Sequence, residues 1–184
     1  AAAREGDADQ ALAAMDAHRL LCGHRQGRHG VTWWTGAVEE WLAEADPSFD
    51  PQQHWYPGQP LLVTKNMPDI GLSNGDTGIV VANAEGTAEL AYFSRGGHSH
   101  AVSVFLLEEV QPAHAMTVHK AQGSQFETVS LILPPLDSPL LNRELLYTAI
   151  TRAKSGVRLI GSEEALRRAV VNRARRASGL AKRL

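Results

Sequence analysis

Six polar side chains crowd the stretch "AMTVHKAQGSQF", Ala115 to Phe126, where Thr117, His119, Lys120, Gln122, Ser124 and Gln125 surround a single glycine, Gly123. The apolar run "TVSLILP" follows almost at once, as expected of a strand buried on both faces. In α/β sheets the loops at strand ends carry ligands, so this loop sits where chemistry would be placed. Thr117, His119, Lys120 and Gln122 offer donors to phosphate oxygens, and Gly123 would let backbone approach a ligand closely. From spacing alone, an ordinary polar loop is the better reading.

A second constellation changes that weighing. In "RELLYTAITRAK", Leu145, Leu146, Ala149, Ile150 and Ala153 recur at helical spacing as a buried stripe. Arg152 falls at its margin, next to Leu145 and Thr148, long enough to reach a cleft. An arginine there makes a structural ion pair or stabilises charge on a transferring phosphoryl group.

These residues need elements to hold them. From about Ala11 to Asp46 the pattern reads as strand ("HRLLCGH"), Gly-punctuated turn ("RQGRHG") and helix ("TGAVEEWLAEA"), with Val38, Trp41, Leu42 and Ala45 as the apolar face. The proline-bearing "DPSFDPQQHWYPGQP" has no periodicity and marks a boundary. Beyond it, "PLLVTKN", "TGIVVANA", "TAELAYF" and "AVSVFLLEEV" are short strands separated by turn residues, among them Asn74 and Gly75. Four or five such strands predict a small antiparallel β-barrel. After Pro112 the order becomes strand, helix, the short buried strand "GVRLIGS" and a last helix capped by Ser162, the signature of an α/β layer. The expected division is residues 1–57 and 111–184 for an α/β domain, with the barrel inserted at 58–110. Residues 1–10 are expected to be disordered.

The 184 residues, 43% of them hydrophobic, suffice for a real core. A formal charge of −2 argues against a uniformly basic coat, although seven Lys/Arg face two acids from Glu163 onward. That basic end is read as a solvated face. One cysteine, Cys22, excludes an intramolecular disulfide framework and fits a reducing compartment. No apolar run reaches bilayer length and no secretory signal is visible, so a cytoplasmic bacterial protein is expected. The abrupt alanine-rich start suggests a fragment.

"TVHKAQGSQF" resembles motif V, and "YTAITRAK" motif VI, of the UvrD/RecD-like branch of superfamily 1 DNA helicases, and "GQPLLVTKNMPDIGLSNGDTGIVV" extends the resemblance over nearly the whole chain. It implies a RecA-like second motor domain of the P-loop NTPase type, with single-stranded DNA as partner and 5′ to 3′ translocation. Thr117, His119 and Lys120 would face the DNA backbone, Gln122 and Gly123 the nucleotide, and Arg152 the γ-phosphate of ATP. Gln125, where relatives usually carry glutamate, would lie near the ribose. RecB- and RecC-like subunits would complete an exodeoxyribonuclease V complex for double-strand break repair. The sequence holds no GxxxxGK[ST] loop and no acidic magnesium motif, so ATP and Mg2+ would be held mainly by a first motor domain, and this chain alone would be inactive.

Three rivals stand beside that reading. A non-catalytic DNA- or subunit-binding module could use the same fold, with Trp33 or Trp34 exposed for stacking while Trp41 packs in the core. A metal site at His98 and His100 lacks further ligands of known spacing, and none is expected. A hydrolase built on Cys22 with His18 or His24 lacks a nucleophile elbow.

Overall fold

The computed structural model describes residues 1–50, 52–95 and 98–174. In chain order its elements are α1 (Ala8–Ala17), β1 (His18–Cys22), α2 (Val31–Ala45), β2 (Pro60–Val63), β3 (Thr77–Val81), β4 (Leu90–Arg95), β5 (His98–Ser103), β6 (Val110–Pro112), β7 (Ala115–Thr117), β8 (Phe126–Ile132), α3 (Arg143–Ile150), β9 (Ala153–Ile160) and α4 (Glu163–Val171). None of the described helices is long and apolar enough to cross a membrane.

Two sheets divide the strands. One is parallel, in the order β7-β1-β8-β9, with Leu20 beside both Ala115 and Ser130 and Leu131 beside Leu159. Its central strand β8 is buried almost throughout, as the unbroken apolar run of its sequence requires. α3 and α4 cover one face through Leu145, Leu146, Ala149, Ala165 and Ala169. Asn142 starts α3 by accepting from the Leu145 amide at 2.9 Å, and Ser162 starts α4 by accepting from Ala165 at 3.1 Å.

The other sheet is antiparallel, in the order β5-β4-β3-β2-β6. It is open: among the described residues β5 and β6 are its edges, so the expected closed barrel is not found. Closure is unnecessary because both faces are already covered. Ala2, Ala3, Ala11 and Leu12 pack on Ile79 and Val81 from one side, while Trp55, Met67, Leu72 and Leu107 pack on Leu61, Val80 and Phe93 from the other. Pro112, which has no amide to donate, sits on the edge strand β6. Gly78 is required where it pairs with Phe93, since an added Cβ would lie 2.6 Å from that ring.

Other expectations also need correction. Residues 1–10 are not disordered: Ala2 and Ala3 are buried, the Ala82 amide donates to Ala3 at 2.8 Å, and Asp7 caps α1. α3 ends at Ile150, which is 42% exposed, and Ala153 begins a strand rather than continuing the helical stripe. β9 is longer than expected and, being an edge strand, is not the buried strand expected: five of its eight residues are exposed and none is buried. Trp41 is 53% exposed, not core. α2 packs on β7, which has three residues and cannot cover fifteen, so Trp34 reaches the cluster around Cys22 while Trp41 and Leu42 stay outside. The basic end beyond Ala174 lies outside the described residues.

A buried polar chain ties the two layers together. The Tyr56 hydroxyl meets His114 Nε2 at 2.6 Å, stacks on its ring, and lies 3.4 Å from Glu39 on α2. Burial, helped by the nearby Arg19 charge, pushes His114 down to about 4. The unfolded chain therefore protonates this group first. Its contribution is level above the usual histidine pKa of 6.5, weakens stability as pH falls from there to about 4, and is level again below. Urea titrations of the full-length protein across that window should show stability falling with acid, and His114→Gln should flatten part of the slope. His18, depressed by burial and by Arg158 and Arg19, contributes to what remains.

Candidate nucleic-acid and nucleotide interface

The polar loop is a wound turn on apolar pegs. Val118 and Ala121 are buried, and the Val118 amide donates to Cys22 at 3.0 Å, fixing the loop to the end of β1. Amides of Ala121, Gln122 and Ser124 donate to the carbonyls of Thr117, His119 and Ala121 at 3.1, 3.2 and 3.1 Å. With those amides bonded within the turn, the loop turns His119, Lys120, Gln122 and Gln125 outward, all exposed, with Thr117 half-buried. Gly123 has φ +93° with open space around it, so glycine serves the turn itself and not a tight fit to neighbouring protein.

Two concavities flank the loop. The first, of about 740 Å³, brings together Thr117, His119 and Lys120, with Arg25, Thr64 and Gln111 opposite. The Lys120 ammonium donates to Asn74 Oδ1 at 3.1 Å, and the Asn74 amide is held by Asn66 at 2.8 Å, so the antiparallel sheet supports the groove. Lys65 is tied to Glu109 at 2.6 Å, and Asp76 is used in its own turn by the Ser73 amide. Arg25 escaped the sequence reading because "RQGRHG" looked like a turn. The signal was available, since that turn follows a parallel strand at its C-terminal end, where ligand loops gather.

The second concavity, of about 270 Å³, lies on the α3 side and is lined by His119, Gln122, Asn142, Glu144 and Thr148. His119 and Gln122 thus face it together, whereas Gly123, Gln125 and Arg152 lie outside its wall. Arg152 is half-buried where α3 turns into β9. Its guanidinium donates through Nη1 to the Ser124 carbonyl at 3.1 Å, through Nε to Thr148 O at 3.2 Å, and through Nη2 to Thr151 Oγ1 at 3.2 Å. Its own carbonyl accepts from the Phe126 amide at 2.8 Å. Arg152 therefore meets the nucleotide candidates at the end of their loop, and among the described residues it has no carboxylate partner within ion-pair distance. A cation held only by neutral acceptors keeps its charge available to an anion.

The rival chemistries fare differently. Cys22 is fully buried and burial pushes its thiol up to about 12, the opposite of an activated nucleophile. His24 is held by Ser138 at 2.8 Å and His18 by Ser130 at 2.8 Å, so neither serves Cys22. His100 meets the Ile70 carbonyl at 3.1 Å. Site-resolved labelling of the native full-length protein with a neutral thiol reagent should leave Cys22 unmodified at pH 7.5, and modify it after unfolding. Fast native labelling of Cys22 would contradict the burial.

Residues 112–160 match the UvrD-like helicase C-terminal domain. RecBCD enzyme subunit RecD of Mycobacterium tuberculosis is 49% identical over 183 residues, covering 100% of this chain and 31% of that protein. The ATP-dependent RecD2 DNA helicase of Deinococcus radiodurans is 37% identical over 109 residues, covering 59% of this chain and 15% of that protein. Among solved structures, a Pif1 helicase from Bacteroides in complex with ADP-AlF3 and ssDNA superposes with a TM-score of 0.51 at 16% identity, over 85% of this chain and 43% of that one. That likeness establishes a helicase-like α/β fold.

Proposed function

The chain belongs to the RecD family, of whose length it spans 31% in the M. tuberculosis relative, and on that premise we propose that it is the second motor domain of an ATP-dependent DNA helicase. The observation that carries the proposal is the position of the loop from Thr117 to Gln125. One side of it bears Thr117, His119 and Lys120 in a groove with Arg25, and its far end is gripped by Arg152.

The groove suits a single strand of DNA. Arg25 and Lys120 supply charge for the phosphates, and Thr117 and Thr64 supply hydroxyls at its wall. Lys120 would exchange its contact with Asn74 for a phosphate oxygen. On the other side, Arg152 needs only to turn Nη1 away from Ser124 to present a donor to a γ-phosphate, as arginine fingers do. Gln122, Gly123 and Gln125 are exposed on the same loop and would meet the rest of the nucleotide. A first motor domain would hold the triphosphate and Mg2+, since the sequence offers no phosphate loop for them. Movement of Arg152 toward nucleotide would release or draw the Ser124 carbonyl, and so alter how the loop presents Thr117, His119 and Lys120 to DNA. Domain boundaries at 57/58 and 110/111, 5′ to 3′ translocation, and assembly with RecB- and RecC-like subunits in double-strand break repair complete the proposal.

The test is DNA-stimulated ATP turnover by the full-length protein. Arg152→Ala should lower it by about 10²–10³-fold or more. Arg152→Lys, which keeps the charge but not the fork, should rescue only a small part. Retention of the circular-dichroism spectrum separates lost chemistry from lost fold. Turnover equal to wild type in both variants would leave a non-catalytic binding module as the reading.

A further inference from the structure

The groove that holds Thr117, His119 and Lys120 shares one wall with a second concavity, of about 770 Å³, at the end of α4. Half-buried Leu140 lines both. Beside it His24, from the groove, meets Ser138, from the second concavity, at 2.8 Å between Nε2 and Oγ. A leucine and a histidine–serine pair are thus common to the two hollows.

Arg168 and Arg173 line the second concavity with one carboxylate, Asp137, beside them. Both arginines are exposed, and among the described residues neither has a carboxylate within ion-pair distance. Arg168 Nη1 donates to the Leu136 carbonyl at 3.2 Å, a neutral acceptor that fixes the guanidinium at the concavity without answering its charge. Arg167, its neighbour, differs on both counts: it is bridged to Glu163 at 2.7 Å and stands outside the concavity. The two acids of α4, Glu163 and Glu164, occupy its first turn, so the end that meets the concavity is the cationic one.

We propose that the second concavity continues the single-strand path, with Arg168 and Arg173 holding phosphates of nucleotides that have passed over Leu140. The inference rests on the reading of the groove as the DNA interface and extends it by a second set of contacts. The chemistry recognised is the sugar–phosphate backbone. Two guanidiniums supply charge, and Ser138 and Asn172 supply polar atoms, but no aromatic ring lines the hollow, so phosphates are held there and bases are not read. A strand occupying both hollows covers more nucleotides than the groove alone.

Binding of dT oligomers to the full-length protein over a salt series tests this with two lengths, about 6 nucleotides to fill the groove and about 16 to run on past it. Loss of two phosphate contacts should flatten the dependence of log affinity on log salt by about 1.4, and weaken binding roughly 10-fold in dilute salt. Arg168→Ala with Arg173→Ala should show this loss on the longer oligomer and match wild type on the shorter, which doubles as the check on fold. Arg167→Ala should match wild type on both. Lys120→Ala should weaken both, and if it weakens neither, the groove reading fails and this inference with it. If Lys120→Ala weakens both while the double variant shows no loss confined to the longer oligomer, or Arg167→Ala loses as much, the groove stands and its continuation is overturned.

Discussion

Arg152 holds two segments of the chain together twice over. Its guanidinium donates to the carbonyl of Ser124, and its own carbonyl receives the amide of Phe126. One residue at the end of α3 thus fixes the exit of the polar loop and the first rung between β8 and β9, where Phe126 pairs with Ala153. The ladder slips between Phe126 and Thr128 before settling into regular parallel register, so this rung is set by the stitch and not by the rest of the sheet. Any displacement of Arg152 acts directly on the loop. A guanidinium with three neutral acceptors and no carboxylate is a contact that an anion can outbid, which makes the stitch suited to switching.

The loop's other end is fixed by different means. Val118 is bound to Cys22, Ala121 is buried, and Lys120 reaches across to Asn74 on the antiparallel sheet. Both sheets thereby support the groove that contains Thr117, His119 and Arg25. This accounts for the apolar strand following so closely on polar residues: Phe126 is an anchor, fully buried and stacked under Arg19, and the polar side chains are those the anchors turn outward. The buried Arg19 and the half-buried Arg152 lie on either side of that anchor, one by its ring and one by its backbone.

Local chemistry was legible in the sequence wherever short-range rules decide structure. The cap at Ser162, the buried β8 and the polar loop before it follow from neighbours a few residues apart. What long-range packing decides was not legible. Trp41 has the helical spacing of a core residue, yet its helix rests on a strand too short to cover it. The antiparallel strands suggested closure, but the first residues of the chain cover one face of their sheet and leave it open. Arg25 and Arg19 carry no motif of their own. Their surroundings come from segments about ninety residues away, such as Thr117 and Ala113, and only the fold reveals them.

The most direct measurement is the affinity of the full-length protein for single-stranded DNA, with and without a non-hydrolysable ATP analogue, in wild type and in a Ser124–Gln125 loop lengthened by one glycine. If the loop transmits the state of Arg152 to Thr117, His119 and Lys120, the analogue changes the wild-type dissociation constant by about 5–150-fold and leaves that of the lengthened loop nearly unchanged. An analogue effect of the same size in both would contradict the account, because the coupling would then bypass the stitch.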